Sequence, residues 1–262
     1  MESRKISFFK EMYRSITDFD YYKQLVDSKT SKCFVYFFIL ILIYAIIGTI
    51  SMTYSTNKSM DQIKRFVEAE INELDYNDGT LSVNADTYKS YYNDQVIIDT
   101  SGNEIKETKG AKAIFEKEKF SILVQNQYIS FPYKVFLSGN YNKENIINLF
   151  EFKNYAVMII IISMIAMYIS FGISTILDIL VVALIGYILF RIVGNTRIEY
   201  KKSLNISIHA VTLPVILAMI YLLLNTFTGF EVKYFSTMYT SISTIYVTTA
   251  VILIKMEEKN NS

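Results

Sequence analysis

Between Tyr155 and Phe190 the chain is almost entirely apolar. Only Ser163, Ser170, Gly172, Ser174, Thr175, Asp178 and Gly186 interrupt the run. A helix rises about 1.5 Å per residue and a bilayer core is about 30 Å thick. The run is therefore too long for one upright helix and suits two short ones, 155–171 and 173–190, turning near Gly172. That stretch predicts an integral membrane protein. It makes the residues ahead of it a tethered outer domain and the residues beyond it the rest of a helical bundle.

The remainder of the chain fits this frame. Of 262 residues 52% are hydrophobic, and the mean hydropathy is +0.26, as expected for a membrane protein with one modest polar domain. The net charge of +1 gives no electrostatic reason to expect nucleic acid. Cys33 is the single cysteine, so an intrachain disulfide is impossible. It reads as a free thiol rather than a lipidation site.

Residues 1–32 carry Arg4, Lys5, Lys10, Arg14, Lys23, Lys29 and Lys32 ahead of the first apolar run, which places them on the cytoplasmic side. Ile6, Phe9, Tyr13 and Ile16 recur at helical spacing among Lys10, Glu11 and Arg14. Such a helix either lies in the headgroup region or packs beneath the bundle. Residues 33–54 form the first candidate span, an uncleaved anchor, because the preceding segment is too long for a signal peptide and no small-residue cleavage site comes after it.

Residues 55–154 break the apolar pattern and have the size of a small domain. Ser59 to Leu74 reads as an amphipathic helix, with Ile63, Phe66, Val67 and Ile71 on one face. Asp78-Gly79 and Ser101-Gly102-Asn103 are turn signals. Strands are expected at Thr80 to Val83, Gln95 to Asp99, Ser121 to Val124 and Tyr128 to Phe131. Gly110 to Lys119 reads as a second short helix. The expectation is a small α+β extracytoplasmic domain inserted after the first membrane helix. Its tyrosines, Tyr88, Tyr91, Tyr92, Tyr128, Tyr133 and Tyr141, either line a binding surface or pack half-buried.

Next comes a basic loop with Arg191, Arg197, Lys201 and Lys202, and then a span at 204–227 that Pro214 should kink. The last span, 234–254, is rich in hydroxyls. Ser236, Thr240, Thr244 and Thr248 fall four apart on one stripe suited to helix packing. Residues 255–262 form a tail with Lys255 and Lys259. Helix counting gives about five membrane helices, which leaves the basic loop and the tail outside. The charge rule instead favours four crossings with both inside.

No constellation of catalytic residues emerges. Asp178 is the one acidic residue well inside an apolar run, and an intramembrane carboxylate is a default functional candidate. The only histidine, His209, lacks neighbours at metal-ligand spacing and more readily bonds a neighbouring helix. Asp99-Thr100-Ser101-Gly102 looks like an aspartic-protease motif with an extra residue, but it occurs once and has the composition of a tight turn. No cofactor and no metal is implied.

Three stretches resemble the bacterial domain-of-unknown-function family 1189. The first is Phe8-Phe9-Lys10-Glu11-Met12-Tyr13-Arg14-Ser15-Ile16, and the second is Val96-Ile97-Ile98-Asp99-Thr100-Ser101-Gly102. The third runs from Tyr200-Lys201-Lys202-Ser203 to Leu213-Pro214. The late segment is also similar to Yip-type multi-span proteins. The resemblance implies a multi-span bacterial plasma-membrane protein with an extracytoplasmic insert and no established activity. A maltodextrin-related label on some relatives brings no catalytic residues. The expected function is non-enzymatic: a sensor, adaptor or scaffold whose outer domain binds a ligand or partner. The alternative is an accessory of a transport system, including sugar transport, with Asp178, His209, Pro214 and the hydroxyl stripe along a path. The expected partners are the lipid bilayer and other membrane proteins.

Overall fold

The computed structural model describes residues 7–83, 89–91, 96–103, 110–124, 127–149, 151–194 and 199–260. The chain is mostly helical and divides into two compact units. One comprises Met1–Ser55 with Val157–Ser262, the other Thr56–Ala156.

The first unit is a helical bundle. Two short helices, α1 (Phe8–Thr17) and α2 (Phe19–Val26), precede the long α3 (Thr30–Glu70). Asp18 separates them: its backbone is extended and its carboxylate accepts from the Tyr21 amide, capping α2. Among the described residues four helices are long and apolar enough to cross a membrane: Thr30–Glu70, Ala156–Ile192, Tyr200–Thr228 and Thr237–Glu257.

About five were expected, and the difference lies between Tyr155 and Phe190. The run expected as a hairpin over 155–171 and 173–190 is one helix, α5 (Ala156–Gly194, 39 residues), about 58 Å long at helical rise. Gly172 does not turn it. A turn inside hydrocarbon leaves backbone groups unpaired at several kcal/mol each, whereas a glycine inside a helix costs only about 1 kcal/mol. The kink expected at Pro214 is present as a break three residues ahead of it. The span at 204–227 begins as α6 (Tyr200–Ala210), breaks at Val211 and resumes as α7 (Thr212–Thr228). Proline is the third residue of α7, in the turn whose amides lack helical acceptors, so its missing N–H is tolerated there.

The bundle core forms two clusters. Tyr21, Tyr22 and Leu25 of α2 meet Val182 and Phe190 of α5, Ile206 of α6, and Val247, Val251 and Ile254 of α8 (Phe235–Asn260). Tyr36, Phe37, Leu40 and Ile41 of α3 meet Ile179, Ile208, Val215 and Tyr239. Helices α5, α6 and α8 close tightly at Gly186. A Cβ there would stand 2.6 Å from both Ser203 Oγ and Val247 Cγ1.

The second unit is α+β. One sheet has the order β2-β1-β8 and the other β3-β4-β5-β6-β7, where β1 is Leu74–Asn77, β2 Thr80–Val83, β3 Lys89–Tyr91, β4 Val96–Asp99, β5 Ala113–Glu116, β6 Lys119–Val124, β7 Gln127–Pro132 and β8 Asn140–Asn142. All pairings are antiparallel except β4 with β5. Asp78 and Gly79 turn the β1–β2 hairpin with φ of 41° and 103°, the two positive values that a two-residue primed turn requires. The helix expected over Gly110 to Lys119 is absent. Ala113–Glu116 is instead a strand, β5, hydrogen-bonded on both edges. The core joins Val67 of α3 and Ile71 just beyond its end to Leu74, Tyr76, Val83, Ile98, Tyr133 and Ile146, the last on α4 (Lys143–Leu149).

Candidate functional site

The densest polar burial of the bundle lies where α1 and α2 meet α6. Ser203, Asn205, Ser207 and His209 are all buried, alternating with Ile206, Ile208 and Ala210. A helix that buries both polar and apolar sides needs protein on both. The amide of Asn205 donates to the carbonyls of Leu25 (3.2 Å) and Ser28 (2.7 Å), at and just beyond the end of α2. Ser203 donates to the Ala183 carbonyl of α5 at 2.7 Å. Lys202 reaches Asp27 at 3.2 Å, and Lys23 pairs with Glu257 of α8 at 2.6 Å.

His209 is the centre of this knot. Its ring stacks on Tyr36 at 4.3 Å and 14°, and Tyr21 meets it edge-on at 5.7 Å. Nδ1 lies 2.9 Å from Ser15 Oγ. Ser15 gives its hydrogen to the Glu11 carbonyl at 2.8 Å, so the histidine ring donates to Ser15 from Nδ1. Tyr22 donates to the Ser15 carbonyl at 2.7 Å, and Tyr246 of α8 donates to the Ile16 carbonyl at 2.9 Å. Below the ring, Thr212 donates to the His209 carbonyl at 2.6 Å, and Tyr36 donates in turn to Thr212 at 2.8 Å. The knot thus ties α1, α2 and α3 to the α6–α7 break. At its edge, burial raises the pKa of Glu11 above the usual 4.5, outweighing the Tyr21 hydrogen bond and the Lys32 charge. Burial, then the Glu11 charge, raises that of Tyr21.

Asp178 lies elsewhere. It is half-buried on α5 and accepts a hydrogen bond from Thr240 of α8. Of the hydroxyl stripe, Thr240, Thr244 and Thr248 are half-buried, and the Ser236 side chain lies outside the described residues. The buried face of α8 is one position over: Tyr239, Ser243, Val247, Val251 and Ile254. Thr244 bonds its own helix, at the Thr240 carbonyl.

In the insert, Asp99 accepts from the Ser101 amide at 3.0 Å and its hydroxyl at 2.6 Å, and Gly102 has φ 81°. The Asp-Thr-Ser-Gly run is a turn that binds itself. Tyr128, Tyr133 and Tyr141 donate to backbone carbonyls of Ala111, Glu116 and Ser138. Tyr88, Tyr92 and the Tyr91 side chain lie outside the described residues. An open cleft of about 620 Å³ is lined by Glu68, Glu73, Asp75, Asn142, Lys143 and Glu144, among others. Among the described residues no cluster of three or more His, Cys, Asp or Glu side chains could hold a metal ion.

Sequence reasoning picked out His209 but not Ser15, Tyr21, Tyr36 or Asn205. The available signal was the alternation of polar residues from Ser203 to His209 at the start of a span, a pattern that lipid cannot satisfy.

Comparison with curated proteins finds no match, and comparison with solved structures finds none. The family model described as "Protein of unknown function (DUF1189)" matches residues 9–251, nearly the whole chain. This helical protein, with its buried knot of α1, α2, α3 and α6 and its α+β insert, belongs to the DUF1189 family.

Proposed function

We propose that this chain is a non-enzymatic membrane sensor or adaptor. Its insert takes a ligand or partner outside a bacterial plasma membrane, and the knot around His209 answers on the inner face. One observation carries the reading. The insert folds around a core of its own, with Val67, Leu74, Tyr76, Val83, Ile98 and Ile146, and carries an open cleft of about 620 Å³ on its surface, as a separate recognition unit requires.

The charge pattern supports the sidedness. With four crossings, the N-terminal segment, the Arg191 to Lys202 loop and the tail share the cytoplasmic side, and the conflict with the positive-inside rule disappears. The ion pairs Lys202–Asp27 and Lys23–Glu257 join those three regions. The cleft of the insert, with four carboxylates and one ammonium on its wall, favours a cationic ligand.

The lone cysteine offers a reporter. Cys33 is buried, and Phe8 and Met12 of α1 pack against its cluster. Replacing Ile98, in the insert core but off α3, by Asp should change maleimide labelling of Cys33 in membranes. Labelling unaltered by that substitution would count against a signal from the insert to the knot. A transport-accessory reading draws on the Asp178–Thr240 bond between α5 and α8. It requires solute uptake to fall in Asp178→Asn.

A further inference from the structure

We propose that the outer face of α1 is a lipid-docking surface that seats the N-terminal segment on the anionic inner leaflet. Helix α1 has only ten residues, too few to cross a bilayer. Its inner face is fixed. Ser15 holds His209, Tyr22 and Tyr246 bond the Ser15 and Ile16 carbonyls, and Phe8 rests on Tyr36 at 5.2 Å. The rotation of the helix is therefore set, and the opposite side presents Phe9 at 68% and Tyr13 at 66% exposure, one turn apart. Water is an unfavourable neighbour for two aromatic rings locked outward. The headgroup boundary suits them, since aromatic side chains concentrate there.

The charges on that side agree. Lys10, on the same helix next to Phe9, is exposed. Arg14 beside them pairs with Asp18 at 2.9 Å and stacks 4.4 Å from Tyr21, and Glu11 is half-buried toward Tyr21. Lys29 and Lys32, both exposed, stand at the start of the adjoining helix α3. An aromatic pair beside a lysine, with its nearest acid turned inward, matches a phosphate-bearing lipid surface and repels a second copy of the same positive face.

The chain contains no tryptophan, so Phe9→Trp and Tyr13→Trp each create a unique fluorophore. Each full-length variant is reconstituted into vesicles of phosphatidylcholine with phosphatidylglycerol, with and without brominated acyl chains. Maleimide protection of Cys33 shows that α1 is still docked; if one variant loses it, the other reads the same stripe. The expected result is emission lowered by about half or more by brominated lipid and little changed by aqueous iodide. The quenching should weaken when phosphatidylglycerol is left out or when Lys10→Glu is added. Quenching by iodide without quenching by brominated lipid would overturn the assignment. Shielding from both quenchers would overturn it too, because protein then covers the face. Quenching indifferent to phosphatidylglycerol and to Lys10→Glu would refute the anionic partner.

Discussion

Ser15 Oγ and His209 Nδ1 stand 2.9 Å apart in a buried contact that joins residues 194 positions apart. It is the central bond between the N-terminal helices and the bundle. Removing the hydroxyl leaves a ring nitrogen buried and unbonded, at about 1–3 kcal/mol. Removing the ring leaves a cavity against Tyr36 and Tyr21, at about 3–5 kcal/mol by analogy with aromatic truncations. Ser15→Ala should therefore speed maleimide labelling of Cys33 about tenfold, one decade for each 1.4 kcal/mol, and His209→Ala more. The double variant should fall short of the sum of the two, because they share one bond. Additive effects would show that the contact carries no energy.

Gly186 has no room for a side chain beside Ser203 and Val247. Gly186→Ala forces α5 away from α6 and α8 and should cost about 1–3 kcal/mol as an overpacked core. A lower melting temperature in detergent is the readout. Adding Val247→Ala removes one of the two clashing groups and should restore part of the loss.

Gly79 supports the β1–β2 hairpin with φ 103°. An alanine there is strained by about 1–2 kcal/mol, and its Cβ also meets the Lys134 side chain. The expected outcome for Gly79→Ala is faster proteolysis within residues 56–156 of the full chain, and an unchanged rate would show that the hairpin tolerates the side chain.

Glu11 gives the docked segment a pH dependence of definite sign. Its folded pKa is raised above 4.5, first by burial. The native state thus holds the proton more tightly than the unfolded chain does. The contribution to stability is complete below the unfolded value and is lost as pH rises through the folded one. Glu11→Gln should flatten the melting temperature between about pH 4.5 and neutrality and raise it at the neutral end. A parallel pH profile in the variant would assign the dependence to another group.

Glu151 responds in the opposite sense. Its pKa is lowered, chiefly by its hydrogen bond to Lys153, with Lys64 adding to the effect. Stability from these pairs is present above the ordinary carboxylate value and disappears as pH falls through the folded one. Glu151→Gln should leave insert proteolysis at acid pH unchanged and increase it slightly at neutral pH.

The sequence alone marked the helices long and apolar enough to cross a membrane, because hydropathy acts through composition. It also determined the Asp78-Gly79 and Asp99 to Gly102 turns and the β2, β4, β6 and β7 strands, whose signals are local. It did not show that α5 is one helix: apolar content marks a region but not a helix end, and Gly172 passes inside the helix as easily as it would turn it. It did not yield β5, since Ala113–Glu116 is extended only because β4 and β6 lie on its two edges. His209 stood out as the only histidine, but its role was decided by Ser15, Tyr21 and Tyr36, which are remote in the chain and become neighbours only when α1, α2 and α3 close on α6. The tertiary structure supplied those partners, because a buried polar group inside a membrane protein is satisfied by whichever helix packs against it, and a linear sequence does not specify that helix.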